Sequence, residues 1–170
     1  MSNNNHNKNL IVGYCYGISY QKYLPIFILS VLESFNDVDI LILCAEKISF
    51  NIRKNIPVND KRIFIVENYF PINGYGYNEV QEYISRSQFY RFLRFLIPLN
   101  LLKNYHAAYI GDIDIFYSNK INKSKKLLFQ REDEIVENNK ITFNNFIRED
   151  NKESITYRLG GLHYIRIIEY

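Results

Sequence analysis

Four short runs of apolar residues constrain this chain more than any other feature. They are Leu10-Ile-Val-Gly-Tyr14, Ile40-Leu-Ile-Leu-Cys44, Arg62-Ile-Phe-Ile-Val66 and His106-Ala-Ala-Tyr-Ile110. A strand with one face in water alternates apolar and polar residues, whereas a run that does not alternate suits a strand covered on both faces. Between the first two runs, Lys22 to Phe35 carries apolar residues at 24, 27, 28, 31, 32 and 35, which is helical spacing, and Pro25 suits a first turn. Glu79 to Leu96 reads as a long helix ending before Pro98, with a short helical piece from Leu99 to Asn104. Strand, helix and strand repeated in this way predict an α/β domain: a mostly parallel sheet with helices on both faces. Cys15 to Gln21 and Asn68 to Asn78 read as loops. Leu127 to Phe129, Lys140 to Phe143 and Gly161 to Ile168 read as strands of a small second sheet.

The 170 residues carry no repeat and no linker composition, so 10–170 reads as one domain after a frayed polar tail, 1–9. Whether that domain is cut short at its C-terminal end stays open. A net charge of +3 and no basic stripe argue against nucleic acid as a partner. Lys120 to Lys126 and Arg131 to Glu134 read as solvated turns. Cys15 and Cys44 form no Cys-x-x-Cys and indicate no disulfide framework, which suits a reducing compartment. No apolar run reaches membrane-span length and no signal peptide is visible, so the expectation is a cytoplasmic protein, with peripheral contact at a membrane left open.

Asp112-Ile-Asp114 follows the fourth run directly. On an extended backbone residues i and i+2 point to one side, so the two carboxylates would share one gap. At roughly 6 Å and an effective dielectric of about 20 their repulsion is on the order of 3 kcal/mol. Water, a shifted pKa or a bound cation could relieve it. Gly111 allows close approach, and Ile113, Ile115 and Phe116 limit hydration. A hard cation, Mn²⁺ or Mg²⁺, would accept two carboxylates and keep positions for phosphate oxygens. In parallel sheets ligands bind beyond the carboxyl ends of the strands. A second pair, Asp37-Val-Asp39, precedes its strand, lies at the amino edge, and reads as a solvated turn.

The span Gln88-Phe-Tyr-Arg-Phe-Leu-Arg-Phe-Leu-Ile-Pro98, followed by Tyr105 to Phe116, resembles the GT-A glycosyltransferases, most of all the galactosyltransferase and glycogenin-like (family 8-like) group. In that group a helix arginine stands four residues before Pro or Gly and a strand then ends in Asp-x-Asp; here Arg94 stands four before Pro98. The likeness covers roughly 10–117 in element order and 88–116 in motif, and Tyr157 to Ile165 is similar to a later small-residue strand. It implies a GT-A-like (Rossmann-like) fold and a metal-dependent transfer of sugar from a nucleotide-sugar, usually a UDP-sugar, to a glycan or lipid-linked hydroxyl. It implies Asp112 and Asp114 as metal ligands, with Asp114 and Arg94 counted as catalytic. It also implies Cys15, Tyr16, Tyr20 and Arg94 around the nucleotide, with Tyr20 able to stack on a uracil. Two departures stand out. Tyr16-Gly-Ile-Ser19 replaces the family's acidic or Asn side chain, with Ser19 the nearest polar residue, and no downstream histidine matches the third metal ligand, since His163 lies on a predicted strand.

Arg91 and Arg94 share a helix face and could together meet a diphosphate, while Arg86 reads as a surface residue pairing with Glu79 or Glu82. His106 reads as structural. His163 reads as a core histidine or an acceptor-sugar contact. Asn73-Gly-Tyr-Gly-Tyr77 lacks the strand and helix context of a dinucleotide fingerprint and reads as a loop. The rival to an enzyme is a degenerate or partial GT-A domain that binds a nucleotide or a partner protein without catalysis. A phosphoryl- or nucleotidyl-transferase would bring a glycine-rich phosphate loop or a further acidic ligand, and the sequence offers neither.

Overall fold

The computed structural model describes residues 8–69, 85–117, 143–147 and 158–167. In chain order the elements are β1 (Asn9–Cys15), a 3-10 helix (Ile18–Tyr23), α1 (Leu24–Ser34), β2 (Val38–Cys44), α2 (Phe50–Arg53), β3 (Ile63–Val66), α3 (Arg86–Leu93), α4 (Leu99–Leu102), β4 (Ala107–Asp112), β5 (Phe143–Ile147) and β6 (Arg158–Arg166). They build one six-stranded sheet in the order β3-β2-β1-β4-β6-β5. The β1–β2, β1–β4 and β2–β3 pairs are parallel, and β6 runs antiparallel to both β4 and β5.

Strand alternation sorts the core into two layers. On one face Ile11, Ile40, Ile42 and Tyr109 pack against Leu24, Phe27, Ile28 and Val31 of α1. On the other face Leu10, Val12, Leu41, Leu43, Ala108 and Ile110 pack against Phe89 and Leu93 of α3 and Leu102 of α4. The sheet is thus covered from both sides, which is why its central runs do not alternate. At Gly13 the α1 face comes so close that a Cβ would stand 2.8 Å from the Phe27 ring and 3.0 Å from Ile113 Cγ2.

Local signals explain the helix limits. Pro25 sits in the first turn of α1, where its missing N–H costs nothing. At α3 the Ser85 hydroxyl accepts from Gln88 N–H while the Gln88 side chain accepts from Ser85 N–H, a reciprocal capping box. That cap starts α3 at Arg86, shorter than a helix from Glu79 to Leu96; positions 79–84 lie outside the described residues.

Several expectations are corrected. The late strands form no separate small sheet among the described residues: β6 hydrogen-bonds to β4 and carries β5 with it, extending the main sheet. Leu127 to Phe129 and 140–142 lie outside the described residues, as do 70–78, Lys120 to Lys126 and Arg131 to Glu134. β3 is an edge strand, with Phe64 exposed, so its apolar run is not covered on both faces. The segment after β1 is not a plain loop, because Ile18–Tyr23 coils into a 3-10 helix that leads into α1. Asp39 is no solvated turn: it is a buried residue of β2, taking the Tyr105 hydroxyl at 3.0 Å and the Lys8 ammonium at 2.5 Å.

Candidate functional site

The chain leaves β1 toward β2 and β3 on one side, then returns to place β4 on the other side of β1. Where strand order reverses like this, the carboxyl ends of the two diverging strands open a crevice. The parallel register sets Tyr14 beside Asp112 there. A cavity of about 560 Å³ opens at this point. Its walls come from the end of β1 and the following turn (Tyr14, Tyr16, Tyr20), from α3 and its C-cap (Arg91, Arg94), and from the end of β4 (Asp112, Ile113, Asp114).

The acidic pair is not an extended i, i+2 couple. Asp112 is the last residue of β4, and Ile113 and Asp114 form a turn in which Ile115 N–H reaches Asp112 C=O at 3.3 Å. Asp112 is half-buried and Asp114 exposed. Burial pushes the Asp112 carboxyl above the ordinary carboxylate range, the Arg94 guanidinium opposes that, and the nearby Asp114 charge adds to it. The two carboxylates therefore do feel each other, although the turn rather than the pleat brings them together.

Arg94 sits just past α3 and is 7% exposed. Its Nη1 lies 2.5 Å from Asp112 Oδ1, a charge contact rather than an aligned hydrogen bond. Its Nε donates to the Arg91 carbonyl at 2.9 Å, and its Cζ stands 5.8 Å from the Phe95 ring centre. These contacts hold the guanidinium in place at the cavity wall. Arg91, one turn earlier, is exposed and lines the same cavity.

The turn after β1 is held from outside. Gly17 has φ +92°, a conformation that favours glycine, and its N–H faces both Glu46 carboxylate oxygens at 3.1 and 3.0 Å. Tyr16 stacks on Tyr90 of α3, with centres 4.0 Å apart and planes within 8°. Tyr20 is exposed, with its ring 6.1 Å from that of Tyr23. Tyr14 is buried with its ring edge-on to Tyr69 at 6.5 Å, and its hydroxyl has no hydrogen-bond partner among the described residues. Burial, with Glu46 adding, pushes its phenol well above the ordinary tyrosine range.

Of the residues singled out from sequence, Tyr16, Tyr20, Arg91, Arg94, Asp112 and Asp114 meet at the cavity. Cys15 does not. β1 runs through residue 15, so Cys15 faces α1, 1% exposed, in register with Cys44 of β2, while Tyr14 and Tyr16 take the α3 side. Both cysteines are free thiols, and contact with Cys15 together with burial raises the pKa of Cys44. Ser19 is exposed and does not line the cavity; the acidic side chain that meets this turn is Glu46, through Gly17 N–H, which the sequence could not place. His163 is buried on β6, its ring 4.8 Å from Phe95, and His106 is half-buried at the start of β4. Among the described residues no three His, Cys, Asp or Glu side chains gather as a metal site. The side chain of Arg86, and residues 73–77, 79 and 82, lie outside the described residues. Tyr14 was read only as a strand residue, because nothing local marks a strand tyrosine as facing a cleft.

No protein-family model matches this sequence, and no curated protein does. Among solved structures, an active-site mutant of LgtC is similar over 93% of this chain and 57% of its own, with 19% identity and a TM-score of 0.49. The galactosyltransferase LgtC in complex with donor and acceptor sugar analogs is similar over 93% and 58%, with 18% identity and a TM-score of 0.48. The mannosyltransferase Ktr4p from S. cerevisiae in complex with GDP is similar over 85% and 41%, with 14% identity and a TM-score of 0.47. This chain spans less than two thirds of each of them. At such identities a likeness concerns the path of the backbone and leaves the chemistry open.

Proposed function

We propose that this chain is the nucleotide-sugar-binding part of a metal-dependent GT-A glycosyltransferase that moves a sugar from a nucleotide-sugar, a UDP-sugar above all, to a glycan or lipid-linked hydroxyl. One observation carries the reading. The half-buried Asp112 ends β4 at the point where strand order reverses, the exposed Asp114 follows on the adjoining turn, a buried arginine stands against Asp112, and a cavity lies alongside. Sequence resemblance over 88–116 supports it independently.

The donor set fits a hard divalent cation. Asp112 and Asp114 are oxygen ligands on one turn, and Asp112 is a carboxylate whose burial and neighbour make it seek positive charge. Asp112 and Asp114 would hold Mn²⁺ or Mg²⁺, and water or phosphate oxygens would complete the shell. When bound, the cation supplies counter-charge to a departing nucleoside diphosphate. The chain's own residues act around it. Arg94, fixed by Asp112 and the Arg91 carbonyl, keeps a positive charge at the cavity wall, beside the negative charge that would develop as the glycosidic bond to phosphate breaks. Arg91 adds a second guanidinium at the rim. The Tyr16–Tyr90 stack and Tyr20 offer flat aromatic surface to a base or a sugar.

Titration calorimetry with UDP, with and without Mn²⁺, tests this. Binding that needs the metal and is lost in Asp114→Ala is expected, followed by transfer or hydrolysis of a nucleotide-sugar in a donor screen. Absent binding, or binding indifferent to both Mn²⁺ and Asp114→Ala, overturns the reading. Metal-dependent binding with no turnover on any donor would mark a non-catalytic nucleotide module.

A further inference from the structure

Two buried polar atoms at the cavity make no hydrogen bond among the described residues, Arg94 Nη1 and the Tyr14 hydroxyl, and of these Arg94 Nη1 has the Asp112 carboxylate against it. The Tyr14 side chain is 5% exposed, lines the cavity, and ends in a buried oxygen with no hydrogen-bond partner among the described residues. Native folds leave few such groups, because a buried hydroxyl without a partner keeps its desolvation cost and gains nothing in return. Packing does not require the oxygen. The ring is already held edge-on by Tyr69 and sits in the α3-side core, where phenylalanine would fill the same space. Tyr105 provides the contrast within the same molecule, since its hydroxyl is spent on Asp39 at 3.0 Å.

Position indicates what the Tyr14 oxygen is for. Tyr14 on β1 and Asp112 on β4 are register partners in a parallel pair, so their side chains leave the sheet on the same face, at the switch between the two strands. The phenol is a donor at neutral pH, since tyrosine ordinarily ionises only near pH 10. We propose that the Tyr14 hydroxyl is a hydrogen-bond donor to the bound nucleotide, reaching an oxygen of its diphosphate or of its nucleoside, and that this contact sets nucleotide affinity. The proposal rests on the nucleotide-site reading above and goes beyond the acidic pair and Arg94.

Tyr14→Phe removes the oxygen and keeps the ring. In the ligand-free full chain its unfolding midpoint is expected to hold or to rise by about 2 °C, because an unpaired buried group has gone. In the same variant UDP affinity in Mn²⁺ is expected to fall about tenfold, the worth of one lost hydrogen bond in a buried site. Tyr105→Phe, measured beside it, should lower the midpoint and leave UDP affinity unchanged. A loss shared by uridine assigns the contact to the nucleoside, and a loss shared by inorganic diphosphate with Mn²⁺ assigns it to the phosphates. If the native chain binds UDP and Tyr14→Phe binds it equally well, the proposal is wrong while the nucleotide site stands. A clear drop in the midpoint of Tyr14→Phe also overturns it, since the hydroxyl would then have had a partner in the fold. If the native chain binds no UDP at all, the nucleotide-site reading fails first and this inference falls with it.

Discussion

The chain contains Asp-x-Asp twice, and the two copies lie at opposite edges of one sheet. Asp39 and Asp112 even emerge on the same face, the one that packs on α3 and α4. At the amino edge both Asp39 oxygens face a partner: Oδ2 accepts from the Tyr105 hydroxyl, Oδ1 makes a charge contact with the Lys8 ammonium, and Asp37 lies out in solvent. At the carboxyl edge Asp112 meets one guanidinium, a second carboxylate is close enough to raise its pKa, and a cavity opens beside both. The first copy ties the N-terminal segment and the start of β4 to the sheet. The second sets two carboxylates and two guanidinium groups at an opening. Three letters of sequence thus carry no function of their own; the end of the strand to which they attach decides it.

Perturbing the two copies in parallel tests that distinction. The largest effect is expected at Asp114→Ala, which should weaken UDP binding in Mn²⁺ about 100-fold, roughly 2.7 kcal/mol, because on the proposed reading it removes a metal ligand. Because Asp114 is exposed, its unfolding midpoint should barely move, and Asp37→Ala should change neither property. An equal binding loss in Asp37→Ala would erase the difference between the edges. Next comes Asp39→Ala, expected to cost about 2 kcal/mol in urea unfolding, because it strands the Tyr105 hydroxyl and the Lys8 ammonium. Nucleotide affinity should stay as it was in that variant. A neutral Asp39→Ala would return Asp39 to the role of a solvated turn residue. The smallest effect belongs to Lys8→Ala, about 0.5 kcal/mol, since the lysine side chain is 44% exposed and water screens the pair. A loss as large as that of Asp39→Ala would mean that the ion pair, rather than the Tyr105 hydrogen bond, anchors this edge.

Much of the architecture was legible because it is written in short-range patterns. The apolar runs marked β1, β2, β3 and β4 to within a few residues, and the spacing of Leu24, Phe27, Ile28 and Val31 marked α1. Misreadings came where one residue of offset matters. Ending β1 at Tyr14 put Cys15 in a loop near the nucleotide; extending the strand by one residue turns Cys15 to the opposite face, into the core with Cys44. The antiparallel β6 was misplaced for a different reason. Its partner β4 lies far away in the chain, and no local signal distinguishes a strand that joins a large sheet from one that starts a small one.

By itself the amino-acid sequence determined the order of strands and helices and the presence of an acidic pair directly after a buried strand. Side-chain periodicity and capping chemistry act over a few residues and can be read along the chain. Only the tertiary structure decided that β4 lies against β1, that Tyr14 therefore stands beside Asp112 with Arg94 against that carboxylate, and that Asp39 is buried and met by Tyr105 and Lys8. Those are contacts between residues distant in sequence, made when the sheet closes its hydrogen bonds and both faces bury their apolar side chains. The energy that selects them is spread over the whole core and belongs to no single stretch of the chain.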